Sequence, residues 1–388
     1  MGKKGYKAFE KGMICKGKEY KENTTYEESG NDICGSGVMH YCENPFDVLD
    51  YYPLVDNNGD FSEFAEVEAL GNDLKKDNKS ASNKLHVGAK LSFKNFIKAC
   101  VDFTLEKTRI DQRTITIADI NTNDDSAKIG SSGYSAKIGS SGDYAQIGSS
   151  GDYAQIGSSG YSAKIGSSGD YAQIGSSGDS AKIGSSGDSA KIGSSGYYAQ
   201  IGSSGDSAQI GSSGYSAMIG SSGDSAQIGS SGDYAKIGSS GYYAKIGSSG
   251  YSAKIGSSGD SAQIGSSGDS AQIGSSGDYA QIGSSGDSAQ IGSSGDYAQI
   301  GSSGDYAQIG SSGYYAKISS SGKDTVVMAA GINSIAKAKI GSWITLAEWV
   351  QKDGLFVPKC VKTEYVDGKK IKEDTFYKLV DGEFKEIE

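Results

Sequence analysis

Two sets of side chains in this sequence have types and spacings that could carry chemistry. The first lies near the start, where Cys34, His40, Cys42 and Glu43 follow Cys15. Thiolate and imidazole are soft metal ligands, but Cys-x5-His-x-Cys lacks the paired Cys-x2-Cys of common zinc modules. His40 and Cys42, two residues apart, would point the same way from a strand. To act as base and nucleophile they need a third orienting group and an oxyanion pocket, neither of which the sequence supplies. The expectation is a pair of core or half-buried residues beside a helix cap. His40, Cys42 and Glu43 are the candidate positions of this segment, with no metal and no cofactor expected. Glu66 and Glu68 read as a solvated strand face rather than an acid/base pair.

The second set recurs. From Ile129 to Ile318 the chain repeats I-G-S-S-G-[DY]-[SY]-A-[KQ], with isoleucine at every ninth position. Aspartate and glycine in a nonapeptide suggest a calcium-binding roll, but Tyr replaces Asp in seven of the 22 copies that begin at Asp125, which excludes an obligatory calcium site. Ice binding usually rests on Thr ladders, and the repeat contains no Thr. Charge is distributed unevenly. Five of the seven Tyr copies carry Lys at position nine, and eleven of fifteen Asp copies carry Gln. The run Asp260, Asp269, Asp278, Asp287, Asp296 and Asp305 has no compensating base in its own copies. Like charges repel along such a stripe, so it is the candidate interaction surface, open to counterions or a basic partner.

A strict short period requires a solenoid, in which each copy buries its apolar atoms only by stacking on neighbours. Ala at position eight and the following Ile are two apart, so both face one side of an extended segment and form the core. Positions six, seven and nine vary by single-nucleotide exchanges and are read as facing water, where size and charge leave packing unaffected. Gly-Ser-Ser-Gly would supply the corner and its positive φ. Two copies per coil would give a flattened roll of two facing sheets, three a triangular prism. One Ala and one Ile per copy suit the thin roll, about 10 Å between sheets.

The remaining sequence frames this array. Net charge is −10, with 58 glycines and three prolines. Five cysteines, an odd and scattered number, argue against a disulfide framework. The N-terminus has no apolar run of a secretory signal, nowhere do about 18 apolar residues follow one another, and Tyr6 stands where a myristoylation motif needs Ser or Thr. A soluble cytoplasmic protein without membrane contact is expected. Residues 1–110 read as a small α+β head: Asn44 caps a helix with Pro45 at its first position, Ala65, Val67 and Ala69 alternate as in a half-buried strand, and Ser92 caps a helix with Phe93, Phe96, Ile97, Cys100 and Val101 on one stripe. Residues 111–325 are the solenoid and 326–350, with larger apolar residues, its cap. In 351–388, Asp367-Gly368 and Asp381-Gly382 signal two hairpins of a meander.

The segment Cys34 to Pro45 (CGSGVMHYCENP), with Tyr51-Tyr52 and Phe64 to Gly71 (FAEVEALG), resembles an uncharacterised family of phage and gut-bacterial proteins. In that family a glycine-aromatic-His-aromatic-Cys-x-x-Pro domain precedes a short-repeat β-solenoid. The resemblance covers roughly residues 5 to 105 and Ile340 to Trp349, the latter similar to an array's closing piece. Val38-Met39 stands where the family shows a glycine and an aromatic. The resemblance carries no activity, but implies a phage setting and the host cytoplasm.

The fold class expected is therefore mainly β, a nonapeptide β-solenoid with a small α+β N-terminal domain and C-terminal hairpins. The function expected is a non-enzymatic structural or interaction protein, a rigid acidic scaffold or docking surface for a basic protein, a host factor that such a surface meets by mimicking an acidic polymer. Direct nucleic-acid binding is not expected, and no oligomeric state follows. The alternatives are an enzyme in the head presented by the array, and an extracellular adhesin or fibre, which the unpaired cysteines and missing signal disfavour.

Overall fold

The repeat closes its coil every second copy. Ile138 pairs in parallel with Ile156 and Ile156 with Ile174, each eighteen residues on, with Gly opposite Gly and Ser opposite Ser. The chain is mainly β, with a β-solenoid of about 13 turns from residue 121 to 346. This computed structural model describes residues 2–33, 36–55, 61–108 and 119–387, and Cys34 lies outside them. The chain divides into two units, Met1–Ile210 with Ala217–Ser222, and Gly211–Ser216 with Gly223–Glu388, each taken by itself below.

The strand of each copy is the four-residue segment [KQ]-I-G-S, as in Gln155–Ser158. Alternation along it sends Ile and the third-position Ser to the same side. Ile147, Ile165, Ser149 and Ser167 are fully buried, as is every eighth-position Ala from Ala145 to Ala316. The interior thus holds a serine that the simple Ile and Ala reading leaves out. A side chain this small lets the two sheets approach. Burying each Ile contributes on the order of 1.5–3 kcal/mol.

The corner differs from expectation. It is built from S-G-[DY]-[SY]-A, and the fifth-position glycine is needed for proximity rather than for positive φ. A Cβ on Gly277 would lie 2.0 Å from the Gly259 carbonyl oxygen of the coil below. Positive φ falls instead on position seven, and only late in the array, at Tyr279, Ser288, Tyr297, Tyr306 and Tyr315.

In the first unit the head is an α+β domain. An antiparallel sheet orders Lys3–Phe9, Glu63–Ala69, Lys84–Leu91 and Thr24–Glu27, and a second joins Met39–Tyr41, Lys79–Ser82 and Leu74–Lys76. Asn44 accepts from the Phe46 amide at 3.0 Å and opens a short 3-10 helix, Pro45–Asp50. Ser92 caps the helix Phe93–Lys107, here α1, accepting from the Asn95 amide at 3.2 Å. The stripe Phe96, Ile97, Cys100 and Val101 is buried, with Phe96 stacked on Phe64 at 3.7 Å.

That helix lies along one sheet of the array. Its successive turns meet successive coils: Ile97 reaches Gly202, Val101 Gly184, Thr104 Gly166 and Leu105 Gly148. A helical pitch of about 5.4 Å nearly matches a strand spacing of about 4.8 Å, so the contact stays in step over several turns. The second-position glycine makes room for it. A Cβ on Gly220 would meet Phe93 at 2.7 Å, Phe61 at 2.9 Å and Leu54 at 3.0 Å, whereas one on Gly193 of the opposite sheet meets nothing within 4 Å.

In the second unit the array runs into two hairpins that extend its own sheets. Trp343–Lys352 pairs in parallel with Val326–Ala329 and antiparallel with Leu355–Tyr365. Phe376–Val380 joins Ile335–Lys337 and then Glu383–Ile387. The Asp381-Gly382 turn is a hairpin as expected, with φ of 52° and 72°, but Asp367-Gly368 is not. There Asp367 accepts from the amides of Lys369, Lys370 and Ile371, and the chain crosses from one sheet to the other. The other hairpin turns at Asp353-Gly354, whose φ values are 52° and 80°, so the C-terminal strands complete the two sheets instead of forming a separate meander.

Two outcomes follow. Removing residues 282–299, one full coil, should leave a cooperatively folded protein, whereas removing 282–290 exchanges the two faces for everything downstream and should cost at least about 1 kcal/mol, a few degrees of Tm. Equal melting of both deletions, followed by circular dichroism, would contradict the eighteen-residue coil. Likewise Gly220→Ala should destabilise the first unit by about 1–3 kcal/mol through overpacking, with Gly193→Ala near neutral in the same urea titration.

Candidate functional site

The expected head residues are brought to one region but not into one catalytic arrangement. His40 sits on the strand Met39–Tyr41, half-buried, and its Nε2 donates to the Ile33 carbonyl at 2.7 Å. Burial holds its pKa below the ordinary value, and nearby Lys79, Lys7 and Lys16 add to the effect. Cys42 is buried, and burial pushes its thiol up to about 12, with Asp47 and Asp50 contributing. A thiol so shifted is not a nucleophile at neutral pH. Glu43 is turned to other work. Burial opposes its ionisation, but ion pairs at 2.9 Å to Lys3 and Lys75 outweigh that and hold the carboxyl below its usual range. Among the described residues no cluster of His, Cys, Asp and Glu is arranged to hold a metal ion.

Sequence reading missed the residues that fasten the head to the array. Asp47 and Asp50, from the 3-10 helix, receive Lys164 Nζ at 2.6 Å and Lys182 Nζ at 2.5 Å. Gln200 Nε2 donates to the Leu49 carbonyl at 3.3 Å. These three are ninth-position residues of alternate copies, and Lys182 is buried. The exchange of Lys with Gln is therefore not confined to water-facing sites. Its signal was present only as the eighteen-residue spacing of 164, 182 and 200 beneath one head.

The aspartate stripe lies in the second unit and falls into two groups. At Asp260 and Asp269 the following residue donates its amide back to the coil before, Ser261 to the Tyr242 carbonyl and Ser270 to the Tyr251 carbonyl, both at 2.9 Å. From Asp278 onward the peptide after the aspartate is reversed. Tyr279 donates forward to the Asp296 carbonyl at 2.7 Å and Ser288 to the Asp305 carbonyl at 2.8 Å. The reversal places position seven at positive φ, an uncommon conformation for a side-chain-bearing residue.

The amides of position six here find carboxylates. Asp278 Oδ1 accepts from the Asp296 amide at 2.7 Å, and Asp287 Oδ1 from the Asp305 amide at 2.8 Å. Asp296 and Asp305 then accept from Tyr314 at 2.8 Å and Lys323 at 2.7 Å. These charge-assisted bonds give aspartate a structural duty that Tyr cannot perform, so position six is not indifferent to side-chain type here. On the same edge Tyr279, Tyr297 and Tyr315 stack at 5.0 and 5.1 Å, nearly parallel.

Geometry so far separates an array that organises carboxylates from a head with its own fold. Residues 3–99 match the family described as Domain of unknown function (DUF7666). The match spans the head strands and ends within α1. Val101, Thr104, Leu105 and Thr108, which meet the array, therefore lie beyond it. The similarity agrees with an uncharacterised N-terminal domain and covers none of the solenoid. No curated protein and no solved structure matches the chain. Among the described residues no helix is long and apolar enough to cross a membrane.

The lowered pKa of His40 fixes a sign. Between its folded value and the unfolded value of about 6.5 the unfolded chain binds the extra proton, so stability present above pH 6.5 is lost as pH falls through that window. Urea midpoints at pH 7.5, 6.0 and 5.0 should show the wild type losing stability relative to His40→Asn on acidification. Parallel curves would mean that His40 titrates normally.

Proposed function

We propose that the chain is a non-enzymatic interaction protein whose solenoid is an acidic scaffold. It carries the head on one sheet face and offers Asp260, Asp269, Asp278, Asp287, Asp296 and Asp305 to a basic protein. The observation that carries this reading is the fixing of four of these carboxylates by amides of the next coil. Members of one edge recur every coil, about 4.8 Å apart, and the amide bonds fix where each held carboxylate sits. A partner with Lys or Arg at matching intervals would meet an ordered row without first ordering it, which lowers the entropic cost of binding. The resemblance to phage proteins supports reading that partner as a host factor met in the host cytoplasm.

The reversed turns also decide how to test it. Tyr would remove the acceptors along with the charge, so the informative change is Asn, which keeps Oδ1 and cancels the charge. Full-length wild type and the six-fold Asp→Asn variant should melt within about 1 kcal/mol of each other, as expected when a hydrogen bond is kept and only its charge assistance is lost. Basic proteins retained by wild type from a host lysate, identified by mass spectrometry and released by salt, should be lost from the variant, because exposed charge is screened over about 8 Å at physiological ionic strength. Retention of the same proteins by the variant would sink the docking surface.

A further inference from the structure

The head contains a cavity of about 480 Å³ that none of the preceding roles uses. Its inner wall carries Lys7, from the strand Lys3–Phe9, only 5% exposed. The ammonium donates to the His40 carbonyl at 2.9 Å and lies 5.5 and 5.3 Å from the ring centres of Phe9 and Tyr20. Cys15 lies beside it, and the Cys15 sulfur accepts from the Tyr52 hydroxyl at 3.1 Å. Among the described residues no carboxylate pairs with Lys7. Burial depresses its pKa, with the Cys15 thiol opposing.

The rest of the lining has the same sign. Lys16, Lys18 and Lys79 also border the cavity, and its one carboxylate among the described residues, Glu28, is taken by Lys18 at 2.5 Å. Five tyrosines, Tyr6, Tyr20, Tyr41, Tyr51 and Tyr52, supply the aromatic surface. Tyr51 is 46% exposed and Lys16 is exposed, so the rim is open to solvent. A concentration of cations in a chain of net charge −10 is not a composition effect. A buried lysine with no carboxylate partner among the described residues is also poor packing, because an apolar side chain of equal length would avoid the desolvation cost. Such a group is what an anion site presents before its ligand arrives, and the volume lies in the range of small-molecule pockets.

We propose that this cavity binds a small aromatic anion, its carboxylate or phosphate beside Lys7 and its ring among the tyrosines. Lys16 and Lys79 draw the anion to the rim, and Lys7 meets it at the inner wall, where the low polarity strengthens the attraction between an anion and the protonated amine. The Tyr faces exclude neither source of the anionic group, so the assay carries both.

Full-length protein is titrated calorimetrically with adenosine monophosphate and with 4-hydroxybenzoate, and with adenosine and phenol as their neutral counterparts. At least one anion should bind about tenfold or more tighter than its counterpart, a difference of about 1.4 kcal/mol. The arm that binds identifies phosphate or carboxylate as the group recognised. Lys7→Met should abolish this preference while leaving the ligand-free Tm equal or higher, the mark of a charge retained for binding rather than stability. Lys79→Ala, at the rim, should weaken the anion severalfold without touching the wall. Binding of neither anion at millimolar concentration, equal binding of the neutral compounds, or undiminished anion affinity in Lys7→Met would overturn the proposal. Should Lys7→Met fail to fold, unchanged anion affinity in Lys79→Ala overturns it instead.

Discussion

Every direction taken by a side chain of the array follows from the closing of the coil after eighteen residues. Because the strands are parallel and in register, a residue's neighbour along the array is the same repeat position one coil on. Isoleucine stacks on isoleucine inside, glycine on glycine outside, and residues six and seven line the two edges. Nearest-neighbour stacking is the only way these short strands bury a core. The head, the edge carboxylates and the terminal hairpins are then placed by which coil, and which side of it, they meet.

The core was legible because it repeats. Ile and Ala are invariant, and a thin interior required two copies per coil. Asn44 and Ser92 were readable as caps since their chemistry is local, and Asp381-Gly382 as a hairpin for the same reason. What repetition hid is what happens differently at equivalent positions. Gly220 under the head and Gly193 on the opposite sheet share the segment Ile-Gly-Ser-Ser-Gly, yet only one touches another element. Lys164 and Lys182 looked interchangeable with Gln, although they reach Asp47 and Asp50. No pattern within nine residues encodes a contact more than a hundred residues away. The Asp353-Gly354 turn carries the same local Asp-Gly signal as Asp381-Gly382.

The head motif teaches a related point. His40 and Cys42 stood out by residue type, but both are held by burial, and Glu43 is committed to two lysines. Lys7 gave no sequence signal, since one lysine in MGKKGYKAFEKG resembles the others. Its distinction comes from the strand pairing that places Lys7 opposite Ala65, inside the domain. Burial, rather than residue type, separates a group with unusual chemistry from its solvated neighbours.

The reversal of the turns between Ser270 and Tyr279 makes the second unit resemble a one-dimensional magnet with a domain wall. On one side amides of position seven point toward the N-terminal neighbour, on the other toward the C-terminal one. Where the two senses meet, each edge must have a place at which carbonyls of position six are claimed from neither side. Among the described residues no amide of the ladder donates to the carbonyls of Asp260 and Asp278, or of Asp269 and Asp287. The wall therefore leaves a pair of bare acceptors on each edge. Moving it by one coil requires turning one peptide on each edge rather than rebuilding the array, and the aspartates beyond it, each holding the next amide, set the direction in which it is hard to move.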